Sequence, residues 1–565
     1  MRLSPVVLLF CARALFAAPE AVESFDIAVP MRDGVRLSAN IFRPEETVRY
    51  PTILLRTPYG KGRSIARYQD FVEHGYAVMI QDVRGRYASE GVFRPLEQEP
   101  ADGDDTLNWI ARQPWSNGKV GMMGGSYLGI VQWKVAALNN PHLKAIFPSA
   151  SGDDDYRDRF YSTGGAMKLG QRLLWMSENL RAPGFHPDPG KFTLHLPLRT
   201  SDVAATGQTS AMYQEAVAHP AYDSFWKSIS AREVLDKIRV PVFSVGGWFD
   251  NFVESDLEAY AGLRKNSGVD RILIGPWPHN ISSKFDGVDF GPDALVALHG
   301  IQMQWFDQFL KNKDVSLLSK PPVRFFVMGV NRWRDAQEWP PRAQPMRFYL
   351  ASRGNANTLS GDGKLDLREP GPEAPRRAPD QFVFDPQNPV PTTGGAICCN
   401  PKVFPWGPMD QRTVEQRRDV LVYTTAPLKK DVEVVGPVQV VLYAATSARD
   451  TDFTAKLVDV FPDGRAQSLT DGILRLRYRK SLEKAELATP GEICKLTIDA
   501  GVTGNVFQKG HRIRIEISSS NFPRFDRNPN TGRPIADETE LRKASQTIYH
   551  DARRPSQVVL PVVRD

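Results

Sequence analysis

Ser126 stands among glycines in "GMMGGSYLGIVQWKVAALNN" (121–140), at the seam of two hydrophobic patterns. Before it, Val120 to Met123 form a short apolar run; after it, Ile130, Trp133, Ala136 and Leu138 recur at roughly helical spacing. A serine hydroxyl is a useful nucleophile only when a base takes its proton and dipoles receive the oxyanion. A tight strand-to-helix turn lifts the Oγ clear of a sheet and aims the free N–H groups of the helix at the reacting carbonyl. Gly124 lies two residues before Ser126 and Gly129 three after it, so Leu128 occupies the second glycine position of a G-x-S-x-G turn. Taken alone, the segment fits a structural glycine corner as well as a nucleophile.

A nucleophile on such a turn takes its partners from later in the chain, the acid before the histidine. Of nine histidines, His279 in "LIGPWPHN" follows directly on a buried strand pattern, and Asp250 in "VFSVGGWFDNF" does the same. His74 and His142 precede strand patterns, while His186, His195 and His219 fall in a stretch without them and His511 in a late β region. Ser126, Asp250 and His279 are therefore the candidate catalytic set.

The surrounding elements suit that placement. "FDIAVPMRDGVRLSANIFRP" (25–44) alternates apolar and polar residues about Asp33-Gly34, the pattern of a β-hairpin. "PTILLRTPYG", "YAVMIQDVRGRYASEG", "KVGMMGGSYLG" and "LKAIFPSAS" read as strands, and "ADGDDTLNWIARQP" as a helix with an acidic first turn. Strands separated by helices predict a mostly parallel sheet covered on both faces, an α/β fold. Residues 152–238 show helix-like stretches such as "AMKLGQRLLWMSENL" and no buried strand; strands resume in "RVPVFSVGGW" and "DRILIGPW". Beyond Pro340 short alternating strands divided by Gly, Asp and Pro turns predict an antiparallel β-sandwich of jelly-roll type. The expected division is a signal at 1–17, an α/β domain at 25–151 and 239–345, a helical cap at 152–238, and the sandwich at 346–565. Residues 355–400, rich in Gly, Pro and Asp, read as a long surface connection.

Length and composition bound the rest. A chain of 565 residues exceeds one hydrophobic core. Its net charge of +6, with no run of Lys and Arg interleaved with aromatics, argues against nucleic acid as a partner. "MRLSPVVLLFCARALFAAPEAV" reads as a secretory signal cut after Ala17, which implies a secreted or periplasmic protein; no other segment is apolar enough for a stable membrane span. Cys398, Cys399 and Cys494 would remain, an odd number that cannot pair completely; adjacent cysteines rarely bond each other, and an oxidising compartment would allow Cys494 to pair with one of the two. No histidine or second C-x-x-C stands at ligand spacing, so no metal is expected, and no cofactor. The acidic run 153–155 reads as a solvated loop, and Asp82, Arg84 and Arg86 as a buried ion-pair network under the site loops.

"GGSYLG", "GGWFDNF" and "GPWPHN" resemble the triad segments of the cocaine esterase-like (CocE/NonD) serine hydrolases, a group that includes X-prolyl dipeptidyl peptidases, α-amino acid ester hydrolases and glutaryl-cephalosporin acylases. The likeness extends to "MRDGVRLSANIFRP", "LLRTPYGKG", "QDVRGRYASEG" and "ARDTDFTAKLVDVFPDG". It implies an α/β-hydrolase domain with an inserted helical cap and a C-terminal jelly roll. It further implies that Ser126 is the nucleophile, His279 the general base and acid, and Asp250 its orienter. The oxyanion hole would be the Tyr127 N–H and the Tyr59 phenol. Relatives that prefer α-amino esters carry carboxylates where this chain has Phe252 and Val253, although Glu254 is one residue further on. Phe252 matches the esterase pattern, in which an aromatic lines an apolar acyl pocket. The expected function is hydrolysis of small-molecule carboxylic esters through an acyl-enzyme. Amides and X-Pro peptides come second, and homodimerisation through the sandwich is a further partner expectation. A non-catalytic surface- or carbohydrate-binding protein would have no use for the intact candidate triad.

Overall fold

A computed structural model describes residues 21–263, 268–371 and 378–563. The expected signal lies outside these residues. Strands β1 (Val22–Pro30) and β2 (Arg36–Arg43) form the expected hairpin, Pro30 opposite Arg36. They begin a ten-stranded sheet whose central strands are nearly continuous apolar runs. These are β3 (Tyr50–Thr57), β4 (Ala77–Asp82), β5 (Ser116–Gly125), β6 (Leu143–Ser149), β7 (Phe243–Phe249) and β8 (Arg271–Pro278). A small hairpin of β9 (Lys284–Phe285) and β10 (Val288–Asp289) follows, then β11 (Val323–Val327) and β12 (Arg332–Ala336) at the sheet's edge. The order is β1-β2-β4-β3-β5-β6-β7-β8-β11-β12, with β4, β3, β5, β6, β7, β8 and β11 parallel to one another. Burial on both faces is what a parallel sheet requires, and it explains why these strands read as runs rather than alternations.

Helices α1 (Gln69–Glu73), α2 (Glu99–Ala111) and α3 (Tyr127–Ala136) cover the sheet. Glu99 and Asp102 supply the acidic first turn of α2. Between β6 and β7 the regular elements among the described residues are helices, among them α4 (Leu169–Asn179), with one isolated bridge between Tyr161 and Met167. The remainder of the chain is β-rich. Its longest strands, Val432–Thr446 and Cys494–Phe507, pair antiparallel within an eleven-stranded array, and its apolar core continues into β7, β8 and β11 through Trp248, Ile274 and Phe326. The α/β-hydrolase plus β-sandwich reading stands.

Four local expectations are corrected. The acidic run is not solvated: Asp153, Asp154 and Asp155 are each 1% exposed, because each meets a cation of the cap or of α3. Arg232 reaches Asp153 at 2.7 Å, Arg157 reaches Asp154 at 2.6 Å, and Lys134 reaches Asp155 at 2.6 Å. Asp82, Arg84 and Arg86 do not form one network. Asp82 pairs with Lys61, Arg84 with Asp102 and Asp33, and Arg86 donates to the carbonyl of Pro58. The stretch 355–400 contributes strands Lys364–Asp366 and Asp380–Phe384 before its end turns inward. Finally, Cys398 and Cys399 are bonded to each other and Cys494 is free. No helix among the described residues is long and apolar enough to cross a membrane.

Candidate active site

Ser126 joins β5 to α3 with φ 57° and ψ −127°, a conformation a non-glycine residue holds only under constraint. The constraint is visible. Ser126 N donates to Ser149 O at 2.9 Å, while Gly129 N and Ile130 N donate back to Ser126 O at 2.8 and 3.0 Å. Ser126 is the N-cap of α3, yet its side chain makes no capping bond, so the Oγ is not committed to the helix. The departure from G-x-S-x-G has a steric account. A Cβ on Gly129 would lie 2.5 Å from Ser151 Cβ, and one on Gly124 2.5 Å from Leu128 Cβ. The close approach falls at 129, so Leu128 is tolerated.

Asp250 follows β7 and His279 follows β8, neighbours in the sheet. His279 Nδ1 lies 2.7 Å from Asp250 Oδ2, and Phe252 N donates to Asp250 Oδ1 at 2.7 Å. Both oxygens of this fully buried carboxylate are therefore engaged, which holds the imidazole in the tautomer whose Nε2 is free. The His279 ring sits 5.6 Å from that of Phe252.

A narrow pocket, about 470 Å³ of empty space when the open solvent at its mouth is included, brings Ser126, Tyr59, Tyr127 and Phe252 together, with α4 and the 398–399 pair as further walls. Tyr59 lies just past β3. The residue is 37% exposed, and its hydroxyl accepts from Trp175 Nε1 at 3.1 Å. Desolvation raises the phenol above its ordinary value, so it remains a donor. Tyr127 opens α3, where the backbone N–H has no intrahelical acceptor. Its own hydroxyl is occupied elsewhere, donating to Glu99 at 2.8 Å, and its ring stacks on Trp175 with an interplanar angle of 4°. Trp175 thus bonds the Tyr59 hydroxyl and stacks on the ring of Tyr127.

Sequence reasoning missed Trp175, Arg172, Arg159 and the cysteine pair. The signal for the first two was present: Arg172 and Trp175 are three residues apart in the stretch read as a helix, hence on one face. Nothing in the sequence shows Cys398 and Cys399 arriving at the pocket, since their approach depends on a long excursion through the β-rich domain. In space, ligand atoms of His279, Cys398 and Cys399 come within 4.8 Å of one another. The two sulfurs are bonded to each other, so they do not fit a thiolate metal site. Val253 and Glu254 face a different chamber, shared with Lys168 and Asp471, away from the pocket of Ser126.

Comparison with known proteins agrees with this architecture. Residues 33–280 match the family of X-Pro dipeptidyl-peptidases (S15 family), and residues 318–559 match the X-Pro dipeptidyl-peptidase C-terminal non-catalytic domain. The chain is 40% identical to a cocaine esterase of Rhodococcus sp. (strain MB1 Bresler), across 95% of this chain and 98% of that one. Among solved structures, an α-amino acid ester hydrolase superposes with TM-score 0.85 at 27% identity, covering 99% of this chain and 100% of the other. An aminopeptidase from a marine sediment archaeon, Thaumarchaeota archaeon, gives TM-score 0.83 at 27% identity, covering 100% and 99%. With a relative this similar along nearly its whole length and both domain types matched in order, the chain belongs to the cocaine esterase-like (CocE/NonD) family of hydrolases.

Proposed function

We propose that this protein hydrolyses carboxylic esters through an acyl-enzyme on Ser126. The observation that carries the reading is the uncommitted Ser126 Oγ on a positive-φ turn, opening into a pocket beside the Asp250–His279 pair. Ser126 Oγ attacks the ester carbonyl while His279 Nε2 takes its proton; that proton then goes to the departing alkoxide as the C–O bond breaks. Water repeats the sequence on the acyl-enzyme and releases the acid. Asp250 holds the tautomer and stabilises the imidazolium. The oxyanion lies between the Tyr127 N–H and the Tyr59 hydroxyl. Because Trp175 donates to the Tyr59 oxygen, the phenolic hydrogen is directed away from Trp175 and toward the reacting centre.

Esters rank ahead of X-Pro peptides for a structural reason. Capture of a free ammonium calls for a carboxylate, and none lines this pocket among the described residues. Phe252 occupies that position, and Glu254 is turned into the neighbouring chamber. The test is a panel of aryl and alkyl esters beside Gly-Pro and Ala-Pro anilides, with a fluorophosphonate probe to mark the nucleophile. Faster turnover of the anilides would reverse the ranking, and labelling of a serine other than Ser126 would remove the mechanism.

A further inference from the structure

The pocket of Ser126 has a wall whose chemistry ester hydrolysis does not use, the bonded pair Cys398–Cys399. A ring nitrogen of His279 and the two sulfurs lie within 4.8 Å of one another. Cys398 is buried and Cys399 half-buried, and the segment that carries them is pinned on both sides. Gly395 N donates to Gly407 O at 2.8 Å and Gly407 N to Gly395 O at 3.0 Å, while Asn400 Nδ2 donates to Glu178 of α4 at 3.0 Å. None of these anchors involves sulfur, so they survive when the bond between the cysteines opens. The surroundings then suit a metal. Asp250 holds His279 Nδ1 at 2.7 Å, which leaves Nε2 as the free lone pair, and a carboxylate behind the imidazole is the usual support of a ligating histidine. Arg159 and Arg172 line the pocket, and positive neighbours favour thiolate over thiol. No Asp or Glu lines it among the described residues. The donor set is therefore two sulfurs and a nitrogen, which selects zinc or cadmium over Ca²⁺ or Mg²⁺. Tetrahedral zinc, ~2.3 Å from sulfur and ~2.0 Å from nitrogen, spaces its ligand atoms by roughly 3.5 Å, within reach of side-chain rotation here.

We propose that reduction of Cys398–Cys399 creates a site for Zn²⁺, made by both thiolates and His279, and that zinc held there switches the enzyme off. A dithiol supplies two electrons and two protons: its own sulfurs join, the Cys398–Cys399 bond breaks, and two thiols result. Zinc then displaces the two thiol protons to solvent and takes the Nε2 lone pair that must accept the Ser126 proton. Two thiolates cancel the charge of the ion, so the filled site adds none to a pocket that already holds two arginines. The loss of activity rests on the ester-hydrolase reading of Ser126; the metal site itself does not.

The experiment titrates the full chain with Cd²⁺ and with Zn²⁺ in two forms: the disulfide form, and the form left by dithiothreitol and anaerobic gel filtration, its thiol count risen by two. The expected result is a sulfur-to-cadmium charge-transfer band in the reduced form alone; Cys494, free in both forms, cancels in the comparison. Equimolar Zn²⁺ should lower turnover of 4-nitrophenyl valerate by the reduced form at least ~10-fold, with recovery on adding EDTA, and leave the disulfide form unmoved. The double variant Cys398→Ser, Cys399→Ser should bind zinc ~10²-fold or more weakly than the reduced parent, and its turnover with and without zinc should agree whatever its basal rate. Should that variant fail to fold, the two redox forms of the parent decide alone. A reduced form with no cadmium band beyond that of the disulfide form overturns the site. A band with turnover unmoved by zinc overturns the switch. If the disulfide form turns over no ester, the ester reading fails and takes the switch with it, while the band still decides the site.

Discussion

On one side of Asn251 the pocket of Ser126 is lined by Arg159 and Arg172 and, among the described residues, by no carboxylate. On the other side, a chamber between cap, sheet and β-rich domain holds Lys168 and Arg524 with Asp250, Glu254 and Asp471. The second chamber is the more acidic, and it settles its charge internally. Arg524 pairs with Asp471, while desolvation, followed by the charge of Asp499, raises Glu254 to about 8. Nearby Asp158 is raised to about 7 for the same first reason, with Asp154 adding to it. A buried carboxyl can always become neutral by taking a proton. A guanidinium has no comparable route at neutral pH, so Arg159 and Arg172 keep their charge beside Ser126. The two regions differ less in how much charge they bury than in whether that charge can be neutralised by a proton.

The largest expected effect separates them by removing the nucleophile. Ser126→Ala should lower turnover by up to ~10⁶ while leaving the pH dependence of melting unchanged, since that dependence is set by the carboxylates next door. Asp250 borders the acidic chamber yet bonds His279, so it tests the link between the regions. Asp250→Asn should preserve the fold and cost roughly 10⁴ in kcat through the wrong imidazole tautomer. Turnover near the parent's would show that the orienting acid is another carboxylate of that chamber.

A smaller loss is expected at the mouth of the pocket. Tyr59→Phe keeps the ring and removes one oxyanion donor, which should cost about 10²–10³ in kcat with a much smaller change in KM. Trp175→Phe removes the bond that orients Tyr59 and keeps the stacking on Tyr127, so its loss should be smaller, about 10-fold. If Trp175→Phe were the more damaging of the two, the indole would be acting on substrate directly rather than through Tyr59.

The contrast between the regions also marks what the sequence made legible. Ser126, Asp250 and His279 stood out because each ends a buried parallel strand, and the runs that build such strands are local in sequence. The catalytic roles of these residues still await the labelling and kinetic tests above. Phe252 was visible as Asp250's neighbour. The charge pattern was not visible. A run such as "DDD" at 153–155 reads as solvated unless its partners are known, and those are Arg232, Arg157, Arg159 and Lys134, up to 79 residues away. The cysteine pair failed for the converse reason. Pairing across sequence is the usual expectation, whereas here the adjacent sulfurs join and Cys494 lies elsewhere, half-buried, at the start of a β-rich-domain strand.

The smallest predicted effect tests whether the acidic chamber is neutralised by protons. Glu254 has an ordinary carboxyl value of 4.5 in the unfolded chain and about 8 in the fold. Between those values the folded protein holds a proton that the unfolded chain releases, so folding takes up protons, and stability falls as pH rises from about 4.5 through 8. Glu254→Gln replaces the protonated acid with a neutral group of similar shape. Its melting temperature should match the parent's near pH 5 and exceed it by a margin that widens toward pH 9. The groups facing Glu254 set the opposite outcome: Asp499 and Glu258 favour its protonated form, while Lys168 and Arg524 favour the carboxylate. If Lys168 wins, the ammonium keeps an ionised partner in the parent and loses it in the variant, and Glu254→Gln is then the less stable protein at pH 7 and above. Thermal melts of both proteins at pH 5, 7 and 9 distinguish the two. Only the widening margin keeps the contrast between a chamber that neutralises itself with protons and a pocket whose guanidinium charge stays.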